Sequence, residues 1–350
     1  MKNRKIDSKE IEKILCIKPR GIGDIVLSTI ILDNLKSYFP EVKIDYLTEV
    51  FAKDAVEDNP LVNKVLTMER TEFPLKVVWR IRKENYDMIL DLWSNPRSAQ
   101  ITFLSGVKYR VGYSYRGRRY AYNILATSDR GAHHSAEHNL ELLNAIGIPT
   151  VSKKIHFYLN EEALTFGNEF FKNNFKDDST IVGIVPSGGW QSKRCDASKW
   201  VEICSSISEK LKAKFLILWG PGDEHDANFI KNHLGNRCIL SPDTTVKQMA
   251  GLIKNCDIVI ANDSGPMHIS AALDVPTLGL FGPTNPLAHG PYSDKSDYIV
   301  RKDLFCINCN KQECPYHHEC FIDMAVQDVV DKVELLLERN HKPAKLNEKD

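Results

Sequence analysis

Short apolar runs alternate along this chain with longer stretches whose apolar residues recur at helical spacing, and they do so in two successive series. In the first series residues 14–17, 43–47, 64–67, 88–92 and 109–112 read as strands, with amphipathic stretches such as 76–83 and 98–104 between them. In the second, residues 181–185, 215–219, 258–261 and 277–281 are separated by helical stretches that include 198–211 and 246–253. Strands that alternate with helices of this length form a parallel sheet with crossover helices. A chain of 350 residues also exceeds what one core ordinarily supports. The expectation is therefore an α/β protein of two doubly wound, Rossmann-like domains facing a cleft. The polar segment 160–179, with its charged run Lys176-Asp177-Asp178, carries the linker, giving domains over 1–165 and 176–325. A last helix runs to about residue 340, and a lysine-rich tail to 350 is expected to be disordered. No short internal period is present, which argues against solenoids and propellers.

Composition narrows the partners. Lys plus Arg and Asp plus Glu both number 46, so no general attraction to nucleic acid or to anionic membranes is expected, and charge recognition must be local. The charged opening, residues 1–13, lacks the apolar core of a secretory signal. No run approaches the roughly 18 apolar residues that span a bilayer. Nine cysteines, five of them scattered singly among apparent core segments, read as reduced thiols of a cytoplasmic protein.

The loop Lys18-Pro19-Arg20-Gly21-Ile22-Gly23-Asp24 follows the first strand and opens a helix. It lies at the carboxyl edge of the sheet, where open α/β proteins place ligands. Asp24 is thereby presented at a helix start; the bland alternative is that it only caps that helix. In the second series, Pro186-Ser187-Gly188-Gly189-Trp190-Gln191-Ser192-Lys193-Arg194 combines a hydroxyl, bare glycine amides and two cations, a donor set suited to phosphate. Gly220-Pro221-Gly222-Asp223-Glu224 is a tight turn ending in carboxylates of the kind that accept from ribose hydroxyls. Asn262-Asp263-Ser264-Gly265-Pro266-Met267-His268 opens another helix, with proline in its first turn and amides free for an anion. Taken singly, Lys193 reads equally as a solvated cation, Asp263 as a cap and His268 as a satisfied histidine.

Together these loops, with Gly282-Pro283-Thr284 and His289-Gly290-Pro291, resemble glycosyltransferase family 9, the ADP-heptose:lipopolysaccharide heptosyltransferases, from about residue 14 to 335. The resemblance implies a GT-B fold and an inverting, metal-independent transfer of a heptose or related sugar, with no cofactor. The donor would be a nucleotide diphosphate sugar such as ADP-heptose, and the acceptor a lipopolysaccharide core or similar anionic glycolipid. It further implies Asp24 as catalytic base and Lys193 as the residue that meets the donor diphosphate. Ser187, Gly188, Glu224, Asp263, Ser264, Gly265 and His268 would form the donor site; for the ribose contact Asp223 and Asp226 rival Glu224. The enzyme is expected in the cytoplasm, with peripheral contact at the inner membrane face and no nucleic acid as partner. The chain departs from the usual family text where Cys195 and Asp196 follow Arg194, and at Ile30.

Residues 108–122 interleave Arg110, Arg116, Arg118 and Arg119 with five tyrosines. With Arg20, the arginines Arg116, Arg118 and Arg119 are candidates for binding the acceptor; a solvated sheet rim is the alternative. Cys306, Cys309, Cys314 and Cys320, with His317 and His318, read as a structural segment of reduced thiols, zinc being the alternative that their spacing leaves open. Rival functions are a nucleotide-sugar epimerase, a nicotinamide-dependent oxidoreductase, against which Gly21-Ile22-Gly23 lacks a third glycine, and a zinc-containing nucleic-acid-binding module.

Overall fold

The computed structural model describes residue 6, residues 10–127 and residues 133–340. The tail beyond residue 340 lies outside the described residues. Among them the strands form two six-stranded parallel sheets. The first holds β1 (Lys13–Ile17), β2 (Lys43–Glu49), β3 (Lys64–Met68), β4 (Met88–Asp91), β5 (Tyr109–Tyr113) and β6 (Ile124–Ala126), in the order β3-β2-β1-β4-β5-β6. The second holds β7 (Thr180–Val185), β8 (Ala213–Ile217), β9 (Cys238–Leu240), β10 (Ile258–Asn262), β11 (Thr277–Phe281) and β12 (Ser296–Val300), in the order β12-β11-β10-β7-β8-β9. Counted from the first strand of each sheet, both orders are 3-2-1-4-5-6. Both reverse direction between their first and fourth strands, and the crevice opened there is where such sheets take ligands.

Three strands escaped the sequence reading. β6 and β9 are three residues each, too short for a periodic signal, and β12 is an edge strand whose residues are all half-buried and begin Ser-Asp.

The chain divides into two compact units, Met1–Tyr158 and Leu159–Asp350. In the first, Leu15, Ile17, Leu47 and Ile89 of the sheet pack against Val77, Val78 and Ile81 of the helix Pro74–Lys83. The division differs from the expected domains at two places. Helix Glu161–Asn174, which the charged run placed in a linker, packs on helix Val246–Lys254 of the second unit. The last helix, Val326–Asn340, is no appendage: Val329, Val330, Val333, Leu336 and Leu337 are buried with Trp200, Phe215 and Ile260 in the second core.

The packing of helix 161–174 depends on two glycines. A Cβ on Gly251 would fall on the carbonyl oxygen of Ala163, and one on Gly167 on that of Gly251. Backbone against backbone leaves nothing flexible to give way. Gly251→Ala is therefore expected to destabilise the fold by about 1–3 kcal/mol through overpacking, despite the better helix propensity of alanine. Thermal unfolding checks this; an unchanged or raised Tm would show that the helices separate without cost.

Candidate active site

In the first unit the site grows from the end of β1. Gly21 has φ of +81° and is the N-cap of helix Ile22–Ser28. Any Cβ there would collide with the Asp24 carboxylate, which folds back over the turn. Both the backbone conformation and the space require glycine. Because Gly21 holds the cap position, Asp24 sits within the first turn, its side chain 48% exposed and not used as a cap. Lys18, by contrast, is buried: its Nζ donates to the Leu92 carbonyl at 3.2 Å, lies 5.0 Å from the centre of the Trp93 ring and stands 3.8 Å from Asp24 Oδ1. That contact ties the end of β1 to the end of β4 across the reversal point of the sheet. Arg20 pairs with Glu49 at 3.8 Å and, with Val50, Phe51, Glu69 and Arg70, lines an open depression of about 440 Å³. Arg116, Arg118 and Arg119 do not line it; they follow β5, and the turn Arg119–Ala121 packs on helix Pro96–Ser105.

In the second unit three loops meet at the corresponding edge. Lys193, in a 3-10 turn over Gln191–Lys193 after β7, places its ammonium 2.7 Å from Asp263 Oδ2, just after β10. The same carboxylate oxygen accepts from Thr284 Oγ1 at 2.7 Å, after β11, and the Lys193 ammonium lies 4.5 Å from the centre of the Trp190 ring. Next to Asp263, Ser264 is the N-cap of helix Gly265–Ala272, and its hydroxyl oxygen is buried with no hydrogen-bond partner among the described residues. A buried hydroxyl beside unpaired helix amides is a costly arrangement unless a ligand completes it. Gly265 and the buried His268 belong to that helix. Gly188 packs closely on Lys193 and Arg194 and accepts from Arg194 Nε at 3.0 Å, while Ser187 precedes it, half-buried.

The carboxylates after β8 divide by burial. Asp223 is buried, receives the Gly220 amide at 3.3 Å and pairs with Arg194 at 3.2 Å; burial raises its pKa, against the opposing pull of Arg194. Glu224 is exposed, and its carboxylate accepts from the nearby Gly222 amide at 2.9 Å. Of the two, Glu224 is the one open to solvent.

Residues not singled out from sequence hold these loops together. Buried Asn262, at the end of β10, donates to the Pro186 carbonyl at 2.7 Å and accepts from the Cys195 amide at 3.4 Å, so one amide binds both ends of the Ser187 to Arg194 loop. Asn262 and Thr284 lay inside the quoted motifs. His318 reads with the cysteine-rich segment, and nothing in the sequence ties it to this loop. Its Nε2 lies 2.9 Å from the Ser192 carbonyl and its Nδ1 3.2 Å from the Asp196 carboxylate. Ser192 is further fixed by its amide to the Gln312 carbonyl at 3.1 Å and its hydroxyl to the Lys311 carbonyl at 2.5 Å. The cysteine-rich segment thus braces the turn that carries Lys193. Cys306, Cys309, Cys314 and Cys320 line one small cavity with His318, and burial, aided by the neighbouring thiols, pushes Cys320 up to about 12. Among the described residues no group of three or more His, Cys, Asp or Glu side chains is arranged to hold a metal ion.

Two sheets of order 3-2-1-4-5-6 in one chain, one with a presented carboxylate at its reversal point and the other with cations and helix amides, match the GT-B fold of glycosyltransferases. The family model of glycosyltransferase family 9 (heptosyltransferase) matches residues 75–319, and the chain belongs to that family. It is 25% identical over 337 residues to lipooligosaccharide heptosyltransferase 2 of Campylobacter jejuni subsp. jejuni serotype O:2, covering 94% of this chain and 99% of that protein. To lipopolysaccharide heptosyltransferase 2 of Escherichia coli K12 it is 25% identical over 348 residues, covering 93% and 98%. The crystal structure of the glycosyl transferase family 9 protein from Veillonella parvula DSM 2008 superposes with a TM-score of 0.85 at 20% identity, over 97% of this chain and all of that one. The chain is therefore a glycosyltransferase, and the epimerase, oxidoreductase and nucleic-acid-binding readings fall away. Among the described residues no helix is long and apolar enough to cross a membrane.

The His318 bridge has a pH signature. Both of its partners are acceptors, so holding both requires both ring nitrogens to donate, which is the imidazolium form. Burial pulls the His318 pKa down, but the hydrogen bonds to Asp196 and Ser192 outweigh it and the net shift is upward from 6.5. A raised folded-state pKa contributes stability in full below the unfolded value, and that contribution is lost as pH rises through the folded value. The Tm gap between the parent and His318→Gln is expected to be widest near about pH 6 and to narrow towards about pH 8.5. Melting curves across that range check it; a gap independent of pH removes the imidazolium from the bridge.

Proposed function

We propose that this glycosyltransferase moves a heptose or closely related sugar from a nucleotide diphosphate donor, ADP-heptose by preference, onto a lipopolysaccharide core or similar anionic glycolipid. The observation that carries the reading is the second-unit edge, where the Lys193 ammonium, held by an Asp263 carboxylate that Thr284 fixes in turn, stands beside the helix that begins at Ser264, whose hydroxyl has no partner among the described residues. The heptosyltransferase names of the relatives give the sugar and the acceptor class. The acceptor would lie in the membrane, so the enzyme works as a peripheral protein at its cytoplasmic face.

In this reading the diphosphate leaves with growing negative charge, which Lys193, Ser187, the Gly188 amide and the helix start at Ser264 and Gly265 stabilise. His268 belongs to the same donor loop, and Glu224 accepts from the ribose hydroxyls. Asp24 takes the proton of the attacking acceptor hydroxyl. Attack on the face of the anomeric carbon opposite the leaving diphosphate inverts its configuration in one displacement. Arg20, joined in the structure by Arg70, and the group Arg116, Arg118 and Arg119 supply cations for an acidic acceptor.

The direct test incubates the protein with a panel of nucleotide sugars, with and without core oligosaccharide, and identifies products by mass. Nucleoside diphosphate released only with acceptor supports the reading; altered donor without acceptor overturns it. Asp24→Asn is expected to lose nearly all turnover while binding ADP as the parent does, and comparable kcat in the two would remove Asp24 from the chemistry. Lys193→Ala is expected to lower kcat on the order of a hundredfold, the cost of one donor aimed at developing charge. Weakened donor affinity at unchanged kcat would make Lys193 a binding residue only.

A further inference from the structure

The outer side of helix Pro74–Lys83 is unusual for a helix that flanks a sheet. Its inner face buries Val77, Val78 and Ile81, as expected, but the opposite side carries Leu75 and Trp79 one turn apart, preceded by Phe73 at the N-cap. A solvated helix shows polar residues there. The neighbouring helix Pro96–Ser105 packs on it and exposes Phe103; the turn Arg119–Ala121 packs on that helix and exposes Tyr120, whose ring meets Phe103 edge to face at 5.4 Å. These five side chains are between 48% and 62% exposed, on three adjoining elements of one unit.

The charges around them share one sign. Residues 74–83, 96–105 and 114–123 contain Lys76, Arg80, Arg82, Lys83, Arg97, Arg116, Arg118 and Arg119 and no Asp or Glu, in a chain whose total charge is zero. Arg80 is matched by Glu72 at 2.7 Å from the preceding loop. Arg82 and Arg97 instead donate to backbone carbonyls, of Leu104 and Ser105 and of Glu69, Arg70 and Glu72, which orders the guanidinium groups without neutralising them. Lys83 Nζ stands 3.5 Å from the centre of the exposed Trp79 ring. Glu84, which follows Lys83, is half-buried and paired with Lys13 at 2.6 Å and with Lys64, and Glu69 is the next acid before Glu72.

We propose that this face, Phe73, Leu75, Trp79, Phe103 and Tyr120 among Lys76, Lys83 and Arg119, is the surface by which the enzyme sits on an anionic phospholipid bilayer. The inference rests on the peripheral-membrane reading above and gives it a place. Aromatic rings suit the headgroup level, where an apolar body and a wet edge are both accommodated. Long cationic side chains between them reach lipid phosphates while their stems stay on apolar surface. A protein partner fits less well, since the centres of protein interfaces are depleted in lysine, and here Lys76 and Lys83 stand among the aromatic residues.

Flotation of the full chain with vesicles separates the possibilities. The protein is expected to bind vesicles of phosphatidylcholine with about one-third phosphatidylglycerol and to bind pure phosphatidylcholine far more weakly. Phe73→Ser with Trp79→Ser, and separately Lys76→Gln with Lys83→Gln, should each reduce vesicle binding on the order of tenfold, because apolar burial and charge both contribute. All these positions are exposed, so the parent Tm and the rate on a delipidated core oligosaccharide should be retained. Equal vesicle binding by parent and variants overturns the proposal, as does binding indifferent to lipid charge. A dimer seen by light scattering that these substitutions dissolve would overturn it too, in favour of self-association. Vesicle binding without sugar transfer would instead sink the proposed function and leave this surface standing.

Discussion

Every strand in both sheets runs parallel to its neighbours, and that single constraint decides where chemistry occurs. A parallel sheet delivers each strand's following loop to the same edge, and the 3-2-1-4-5-6 order opens a crevice there because its crossovers leave the central pair of strands to opposite sides. Asp24 follows the first strand of its sheet. Lys193 and Asp263 follow the two strands that border the crevice of theirs. Residues 70 positions apart in sequence become an ion pair with no special device beyond the pairing of β7 with β10.

Placing loops at one edge does not make them rigid, and the struts behind them do the rest. Asn262 closes the Lys193 loop from inside the sheet. His318 clamps it from the cysteine-rich segment, and Thr284 fixes the carboxylate that the lysine meets. Asn310 also donates its amide to the Pro283 carbonyl at 2.8 Å, so the cysteine-rich segment holds both the Lys193 turn and the loop carrying Thr284. Groups held in advance need little reorganisation when charge develops, which is what makes fixed donors effective.

Fold and site were legible in the sequence to different depths. Strong apolar runs such as 258–261, buried on both faces, announce themselves; β12, half-buried at an edge, carries no period to detect. Local donors and acceptors were readable because glycine turns and helix starts are local facts. The supports were not. His318 lies 126 residues from Ser192, and nothing in a histidine among cysteines says which loop it will brace. Asp196 is instructive here: it stands where the chain departs from the usual family text, and in the fold it is the acidic half of the His318 clamp. The proposed linker failed for a related reason. The charged run at 176–178 marks the end of a helix correctly, but the Gly167 and Gly251 contact that assigns that helix to the second unit is visible only once the two are side by side.

The pairing of Lys193 with Asp263 bears on selectivity. Both cations of that loop are met by a carboxylate from another loop, Lys193 by Asp263 and Arg194 by Asp223, so the unliganded edge is close to neutral. A single weak anion would gain little there, since it must compete with carboxylates fixed within hydrogen-bond reach. A diphosphate brings more charge and several acceptor oxygens. An ammonium has three protons, so Lys193 can keep one on Asp263 and turn the others to phosphate. The start of helix Gly265–Ala272 and the Ser264 hydroxyl, which has no hydrogen-bond partner among the described residues, would then add donors beside the lysine. Under the proposed function, selection for a donor with two linked phosphates would follow from a lysine already paired with Asp263 beside a Ser264 hydroxyl that has no partner among the described residues.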